Sequence, residues 1–301
     1  MKPENGQVER AAVFGGVNMD IWGRPSRPLI QKDSNPGTVS LRPGGVGRNI
    51  AHDLRLLGLE VSLIAPVGGD VYGEIILESC KNLGMDLSHA PVFNGRKSST
   101  YLYITDEKGD MELAISDMEL CSAITPELAA AVLSELKADA VVLDTNLSQE
   151  TINYICENSR FPVYADPVST VKAEKLLPVL GRLEAIKPNI LEAQRLTGES
   201  EPEKAALALV KKGVKRVFVS LGAGGMIAAD SCNLLRLPGV ETRVLNTTGA
   251  GDAATAAIVL AGIRGLSLKD AALLAQRAGA LTCGCEGANA GDLKSILKNE
   301  V

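Results

Sequence analysis

Histidine is nearly absent. His52 and His89 are the only two in 301 residues, and neither has a patterned partner. A Ser-His-Asp hydrolase or a histidine-ligated metal centre therefore has little to build on. Cysteine is sparse, with six residues at 80, 121, 156, 232, 283 and 285. Only Cys283 and Cys285 lie close together, without the further ligands that zinc spacing needs. Scattered thiols of this kind read as reduced core or near-core residues, which points to a cytoplasmic chain. Basic runs are missing and the formal charge is −5, so an electrostatic nucleic-acid binder is not expected. No segment reaches membrane-spanning length free of charge. The polar start, Met1-Lys2-Pro3-Glu4-Asn5-Gly6, does not resemble a signal peptide.

The common nucleotide signatures are absent as well. There is no G-x-x-x-x-G-K-[ST] run, no G-x-G-x-x-G after the first strand, and no H-R-D or D-F-G set. A P-loop protein, a Rossmann dehydrogenase and a protein kinase are set aside on that ground. Any phosphate site must rest on other glycines and on backbone amides.

Glycine itself is plentiful, with 30 residues, and one stretch organises the rest: Asn246-Thr247-Thr248-Gly249-Ala250-Gly251-Asp252. The uncharged run Ala253 to Leu260 follows and reads as a buried helix. The glycine turn then sits at a helix N-terminus, where unpaired N–H groups favour an anion and glycines permit close approach. A carboxylate there would repel a phosphate. It makes sense if Asp252 takes a proton from a hydroxyl that attacks that phosphate. A tight turn with Asp252 favouring the helix dipole explains the same residues, and both readings stand at this point.

Elsewhere, strands and helices alternate. Ala11 to Gly16 reads as a buried first strand. Later strands are expected at Val61 to Val67, Ala140 to Leu143, Pro162 to Ala165, Ala185 to Lys187 and Arg216 to Ser220. Helices are expected from Ile50 to Leu57, Gly73 to Leu83 and Pro126 to Leu136, with Thr125 as N-cap. This alternation predicts a mostly parallel sheet covered on both faces. Strand ends at Asp144-Thr145-Asn146, Asp166-Pro167, Pro188-Asn189 and Leu221-Gly222 should line one crevice, as should Asn18 and Asp20 after the first strand. Two β-rich interruptions, approximately 21–42 and 92–117, read as a small separate sheet and a plausible lid. Within the second, Ser99 to Ile104 and Met111 to Ile115 flank a turn as a hairpin would. The lid's exposed edges could pair with a second copy. Asn189 with Glu192 is explained by a capping box alone.

Three motifs now coincide: Gly44-Gly45-Val46-Gly47-Arg48-Asn49, Asn189-Ile190-Leu191-Glu192 and Thr248-Gly249-Ala250-Gly251-Asp252. With the early Asn18-x-Asp20, their order and rough spacing resemble the ribokinase-like (PfkB) carbohydrate and nucleoside kinases. The resemblance covers essentially all of 1–301 as a single kinase domain. It implies a ribokinase-like three-layer α/β sandwich with a small β-sheet lid, ATP as phosphoryl donor and Mg²⁺ as cofactor. Asp33-Ser34-Asn35-Pro36-Gly37, Ser116-Asp117-Met118, Asn146-Leu147-Ser148 and Asp166-Pro167-Val168-Ser169 are further similar to members that phosphorylate the 5′-hydroxyl of pseudouridine. The alternatives are a family kinase for ribose, adenosine or a keto-sugar acid, or a non-catalytic nucleoside-binding regulator.

Carried over by motif, the resemblance makes Asp252 the base, with the amides of Gly249, Ala250 and Gly251 as the anion hole. Asn18, Asp20, Gly44, Gly45, Arg48 and Asn49 would hold the sugar. Thr100, Asp117 and Asn146 would read the nucleobase. Asn189, Ser220, Gly222, Gly224, Thr247 and Asn289 would lie along the nucleotide, and Glu192 would organise Mg²⁺ indirectly. Asn246 stands where many relatives carry Asp near a monovalent-cation site, so this departure counts against a potassium requirement. Val46 and Arg48 differ from sugar-specific members, which disfavours plain ribose.

Overall fold

The computed structural model describes residues 8–299; the polar run Met1–Gly6 lies outside them. In chain order the strands begin with β1 (Arg10–Phe14), β2 (Asn18–Pro25), β3 (Gly37–Gly44), β4 (Glu60–Ile64), β5 (Val67–Gly68), β6 (Val92–Phe93) and β7 (Thr100–Thr105). They continue with β8 (Met111–Asp117), β9 (Ala140–Asp144), β10 (Val163–Asp166), β11 (Ala185–Ile186), β12 (Arg216–Ser220), β13 (Met226–Ala229) and β14 (Leu234–Leu237). The helices are α1 (Val46–Leu56), α2 (Val71–Asn82), α3 (Pro126–Glu135), α4 (Gln149–Asn158) and α5 (Thr170–Ala173), followed by α6 (Ile190–Thr197), α7 (Pro202–Lys211), α8 (Ala250–Ile263) and α9 (Leu268–Cys283).

Eight strands form the central sheet in the order β14-β13-β12-β11-β10-β9-β1-β4. The ladder from β4 through β12 is parallel, and β13 and β14 add antiparallel strands at one edge. Every residue of β9 is buried, as is β1 after Arg10. Such strands are apolar at consecutive positions because layers cover both sheet faces. One core layer places Val13 and Val142 with α1, α8 and α9; the other places Phe14 and Leu143 with α3, α4 and α7. Helix α8 is buried from Asp252 to Ala261, as a helix apolar all round must be.

The second sheet has the order β3-β2-β7-β8. It joins the two β-rich interruptions through the parallel pair β2–β7. The β7–β8 hairpin closes on Asp106, whose carboxylate accepts the N–H groups of Lys108, Gly109 and Asp110. The expected fold, a large mostly parallel sheet with a smaller separate one, is the one found. Among the described residues no helix is long and apolar enough to cross a membrane.

Several boundaries differ from the sequence reading. Asn18 and Asp20, expected just after the first strand, open β2, so the small sheet begins before residue 21. Helix α1 starts at Val46 rather than Ile50, because Gly45, at φ 103°, provides the non-helical entry. The stretch Val61 to Val67 splits into β4 and β5 around Pro66, which lacks the N–H a ladder needs.

Candidate active site

The chemistry-bearing residues gather where β1, β9, β10, β11 and β12 end and α1 and α8 begin. Gly249 precedes α8 in the left-handed region, at φ 82°. A side chain there would also collide with the carbonyl oxygen of Ala288, so both conformation and contact require glycine. Among the described residues no side chain caps α8. The amides of Gly251 and Asp252 are therefore open to an anion, while that of Ala250 makes a long 3.4 Å hydrogen bond to the Thr247 carbonyl.

Asp252 lies in that turn and is buried. Its Oδ2 accepts a 2.9 Å hydrogen bond from Asn49 Nδ2 on α1. Burial holds the Asp252 carboxyl well above the usual carboxylate range, and the nearby Asp166 pushes the same way; the Asn49 bond and Lys187 oppose them. A carboxylate of raised basicity is suited to accept a hydroxyl proton.

Two neighbours carry no site role in the sequence reading, where Asp166 is a strand end and a motif residue and Lys187 the last residue of a strand. Asp166 closes β10 and Lys187 follows β11; Lys187 Nζ stands 3.7 Å from Asp166 Oδ2, each side chain 7% exposed. Asp166 also accepts from Thr255 Oγ1 of α8 at 2.8 Å and from the amide of Val168 at 2.9 Å. A side chain added at Gly251 would sit 3.2 Å from Lys187 Nζ, so the ammonium lies beside the first turn of α8. The sequence signal for both is a charged residue closing an otherwise apolar strand.

Asn189 and Glu192 form a complete capping box at α6: Asn189 Oδ1 accepts the Glu192 N–H at 2.9 Å, and Glu192 Oε2 accepts the Asn189 N–H at 2.8 Å. Among the described residues Glu192 Oε1 has no hydrogen-bond partner. Burial raises the Glu192 carboxyl, with Lys187 and Asp166 acting in opposite senses, which places this group beside the same cluster. Ser220 ends β12 and bridges to Asn189. Gly222 and Gly224 form an exposed turn just beyond it.

Asn18, Asp20, Gly44 and Gly45 are packed together at the root of the small sheet. Asn18 Nδ2 donates to Asp20 Oδ1 at 2.5 Å. The Asp20 carboxylate lies against the Cα of Gly44, and Gly45 lies against the carbonyl of Gly16. Burial raises the Asp20 carboxyl. Arg48 is buried; its Nη2 donates to Ser79 Oγ of α2 at 2.9 Å, while among the described residues its Nε has no hydrogen-bond partner. Thr100 and Asp117 are register partners on β7 and β8, and Asp117 is exposed. Asn146 is buried beyond β9. Fully buried Asp144 braces that corner, accepting the amides of Gly16 and Asn146, both at 2.8 Å.

Thr247 is exposed, while Asn246 ties its loop to the C-terminal segment by donating to the Glu286 carbonyl. Asn289 donates to Asp53 Oδ1 at 2.9 Å and to the Asn49 carbonyl at 3.2 Å, so its side chain ties the C-terminal segment to α1. Asp53 is fully buried, and nothing in the sequence pattern singles it out. A cleft of about 600 Å³ lined by Arg10, Glu60, Asp86 and Lys137 opens at the opposite strand ends, away from this cluster.

The pfkB family carbohydrate kinase model matches residues 8–295. The pseudouridine kinase of Escherichia coli K12 is 34% identical over 295 residues, covering 95% of this chain and 94% of that protein. The ribokinase of Lactococcus lactis is 29% identical, covering 97% and 98%. Among solved structures, an Arabidopsis thaliana ribokinase complexed with ribose and ATP superposes with a TM-score of 0.80 at 23% identity, covering 97% of this chain and 98% of that one.

Proposed function

We propose that this chain, which belongs to the pfkB family of carbohydrate kinases, transfers the γ-phosphoryl group of ATP to the 5′-hydroxyl of pseudouridine. The observation that carries the reading is Asp252: a buried carboxylate at an uncapped helix start, held by Asn49 at the end of the glycine run. The similarity to the E. coli pseudouridine kinase supports this acceptor.

In the proposed reaction Asp252 takes the 5′-hydroxyl proton as that oxygen attacks in line. The amides of Gly249 to Asp252 meet the charge developing on the transferred group, and ADP leaves. Lys187 adds a fixed positive charge beside them. Asn18, Asp20 and Asn49 hold the ribose, and the turn at Gly222 to Gly224, with Ser220 and Thr247, borders ATP. Mg²⁺ needs few protein ligands when it rides on phosphates and waters, and the unpartnered Glu192 Oε1 with Asp166 fits that demand. The ion would neutralise phosphate charge. The Asn246 departure argues against a potassium requirement.

The small sheet serves as a lid inserted into a single kinase domain. Its face opposite the stacked Trp22 and Tyr103 carries Leu41, Leu102 and Ile115 in one row, with Ile21, which also packs against the core, between them, and Val39, Ile104 and Leu113 in the next. Val39 is 70% exposed and Ile115 60%. Apolar patches of this kind mark association surfaces, and a second copy of the same face is the proposed partner. Reduced cysteines fit a cytoplasmic enzyme. The test is ADP release with Mg-ATP over pseudouridine, uridine, adenosine and ribose. Pseudouridine should give the highest kcat/KM; a preference for ribose or adenosine would sink the assignment.

A further inference from the structure

The corner beyond β9 carries an asymmetry that bears on which ring the site accepts. Asn146 Oδ1 accepts a 2.6 Å hydrogen bond from Lys172 Nζ of α5. A lysine nitrogen offers donors only, so the amide oxygen must be the atom facing it. The other end of the amide, Nδ2, has no hydrogen-bond partner among the described residues. It stands over Gly16, where an added Cβ would come within 2.7 Å of it, and beside Met118 at the end of the small sheet.

The arrangement is rigidly built. Asp144 fixes the backbone of Asn146 and of Gly16 with one carboxylate oxygen each. Lys175 Nζ donates to the carbonyls of Thr145 and Leu147 on either side. The loop that delivers Lys172 contains Val168 at φ 61°, a strained conformation for a β-branched residue. It is held by the Asp166 carboxylate on the Val168 amide and by Thr145 Oγ1 on the Pro167 carbonyl. Strain kept in place by several bonds is a mark of functional positions.

We infer that Asn146, oriented by Lys172, is a specificity residue that presents a hydrogen-bond donor to a ring carbonyl, so the site selects keto-pyrimidine nucleosides over rings bearing an amino group there. The inference rests on the nucleoside-kinase reading above and adds the polarity of recognition. The family resemblance assigns Asn146 to the base without a direction, and the extra ring N–H of pseudouridine is the other group such a site could read. A donor at Nδ2 meets an acceptor instead. An amino group at that point would bring two donors together and leave both unpaired, a mismatch that sites of this type reject strongly.

The test compares kcat/KM for pseudouridine, for pseudoisocytidine, in which an amino group replaces the ring carbonyl opposite the glycosidic bond, and for pseudocytidine, in which an amino group replaces the carbonyl next to that bond. The wild type should reject at least one amino ring by about 100-fold. Asn146→Asp, an isosteric acceptor that Lys172 can still pair with, should shrink that ratio by about 100-fold or invert it. Lys172→Met frees the amide to turn and should relax the ratio by about 10-fold. Ratios within about 3-fold of wild type in Asn146→Asp, with nucleoside turnover retained, overturn the donor assignment and leave the kinase reading standing. Equal use of all three rings by the wild type does the same. Turnover of ribose but of no nucleoside by the wild type sinks the nucleoside reading and the inference with it.

Discussion

Asn49 Nδ2 lies 2.9 Å from Asp252 Oδ2 although 203 residues separate them in the chain. One contact thus joins the helix that follows the Gly44–Gly45 run to the helix that follows the Gly249 turn. Its effect on the Asp252 carboxyl, the proposed base, is directional. The bond favours the charged carboxylate, against burial and the field of Asp166. Removing it should leave Asp252 protonated to higher pH. Because a general base must be deprotonated to act, the activity of Asn49→Ala should fall off on the acidic side at a higher pH than that of the wild type. Superimposable acid limbs in the two kcat profiles would show that the contact does not tune the base.

The proposed role of Asp252 as base is tested by Asp252→Asn, which keeps shape and removes the proton acceptor. Turnover should drop by about 10²–10⁴-fold with ATP affinity, read by nucleotide titration, close to wild type. Asn49 can still meet the new amide oxygen, so folding should survive. Near-normal kcat in this variant would remove Asp252 from the chemistry.

Lys187 and Asp166 form a buried pair at 3.7 Å, and Asp166 in turn holds Thr255 and the Val168 amide. Lys187→Met strips the charge partner from a carboxylate that stays buried. Breaking such a pair costs on the order of 3–5 kcal/mol, so urea unfolding should show a loss of that size. If Lys187 also faces phosphate, KM for ATP should rise in the folded variant. Unchanged stability would mean that the pair is not electrostatically important.

The sequence carried the site's outline because glycine and strand-end chemistry are local. Gly249 is needed at its own φ, and Gly44 and Gly45 are needed where Asp20 and Gly16 press against them. The alternation of consecutive apolar strands with helices likewise reads out directly, and β9 is buried at every position. What the sequence could not show was pairing at a distance. Lys187 and Asp166 each close a different strand, and only the parallel register of β10 on β11 brings them together. Asn189 and Glu192 illustrate the converse. Their capping box is local and legible, while the proximity of Glu192 to Lys187 is tertiary.

Association through the small sheet can be examined separately. Leu113 and Ile115 alternate on the outer face of β8, an edge strand. Charges placed there should block self-pairing without touching the crevice. The double variant Leu113→Lys and Ile115→Lys should run as a monomer in sedimentation where the wild type runs as a dimer. Identical sedimentation of the two at all concentrations would discard this interface.

Asp53 offers a test in which stability, not activity, is the readout. Burial pushes its carboxyl up to about 8, against the opposing hydrogen bond from Asn289. The folded protein therefore keeps this proton across neutral pH, while the unfolded chain releases it near the ordinary value, about 3.9. The unfolded state binds fewer protons between those limits, so this group makes the fold progressively less stable as pH rises from about 4 to 8. In the variant Asp53→Asn the new amide is neutral in both states, and its oxygen could still accept the Asn289 bond. The variant should match wild type near pH 4 and exceed it by on the order of a few kcal/mol by pH 8. Thermal melts across that range distinguish the outcomes: a gap in Tm that widens with pH is expected, and parallel curves would mean that Asp53 ionises in the folded protein much as it does in water.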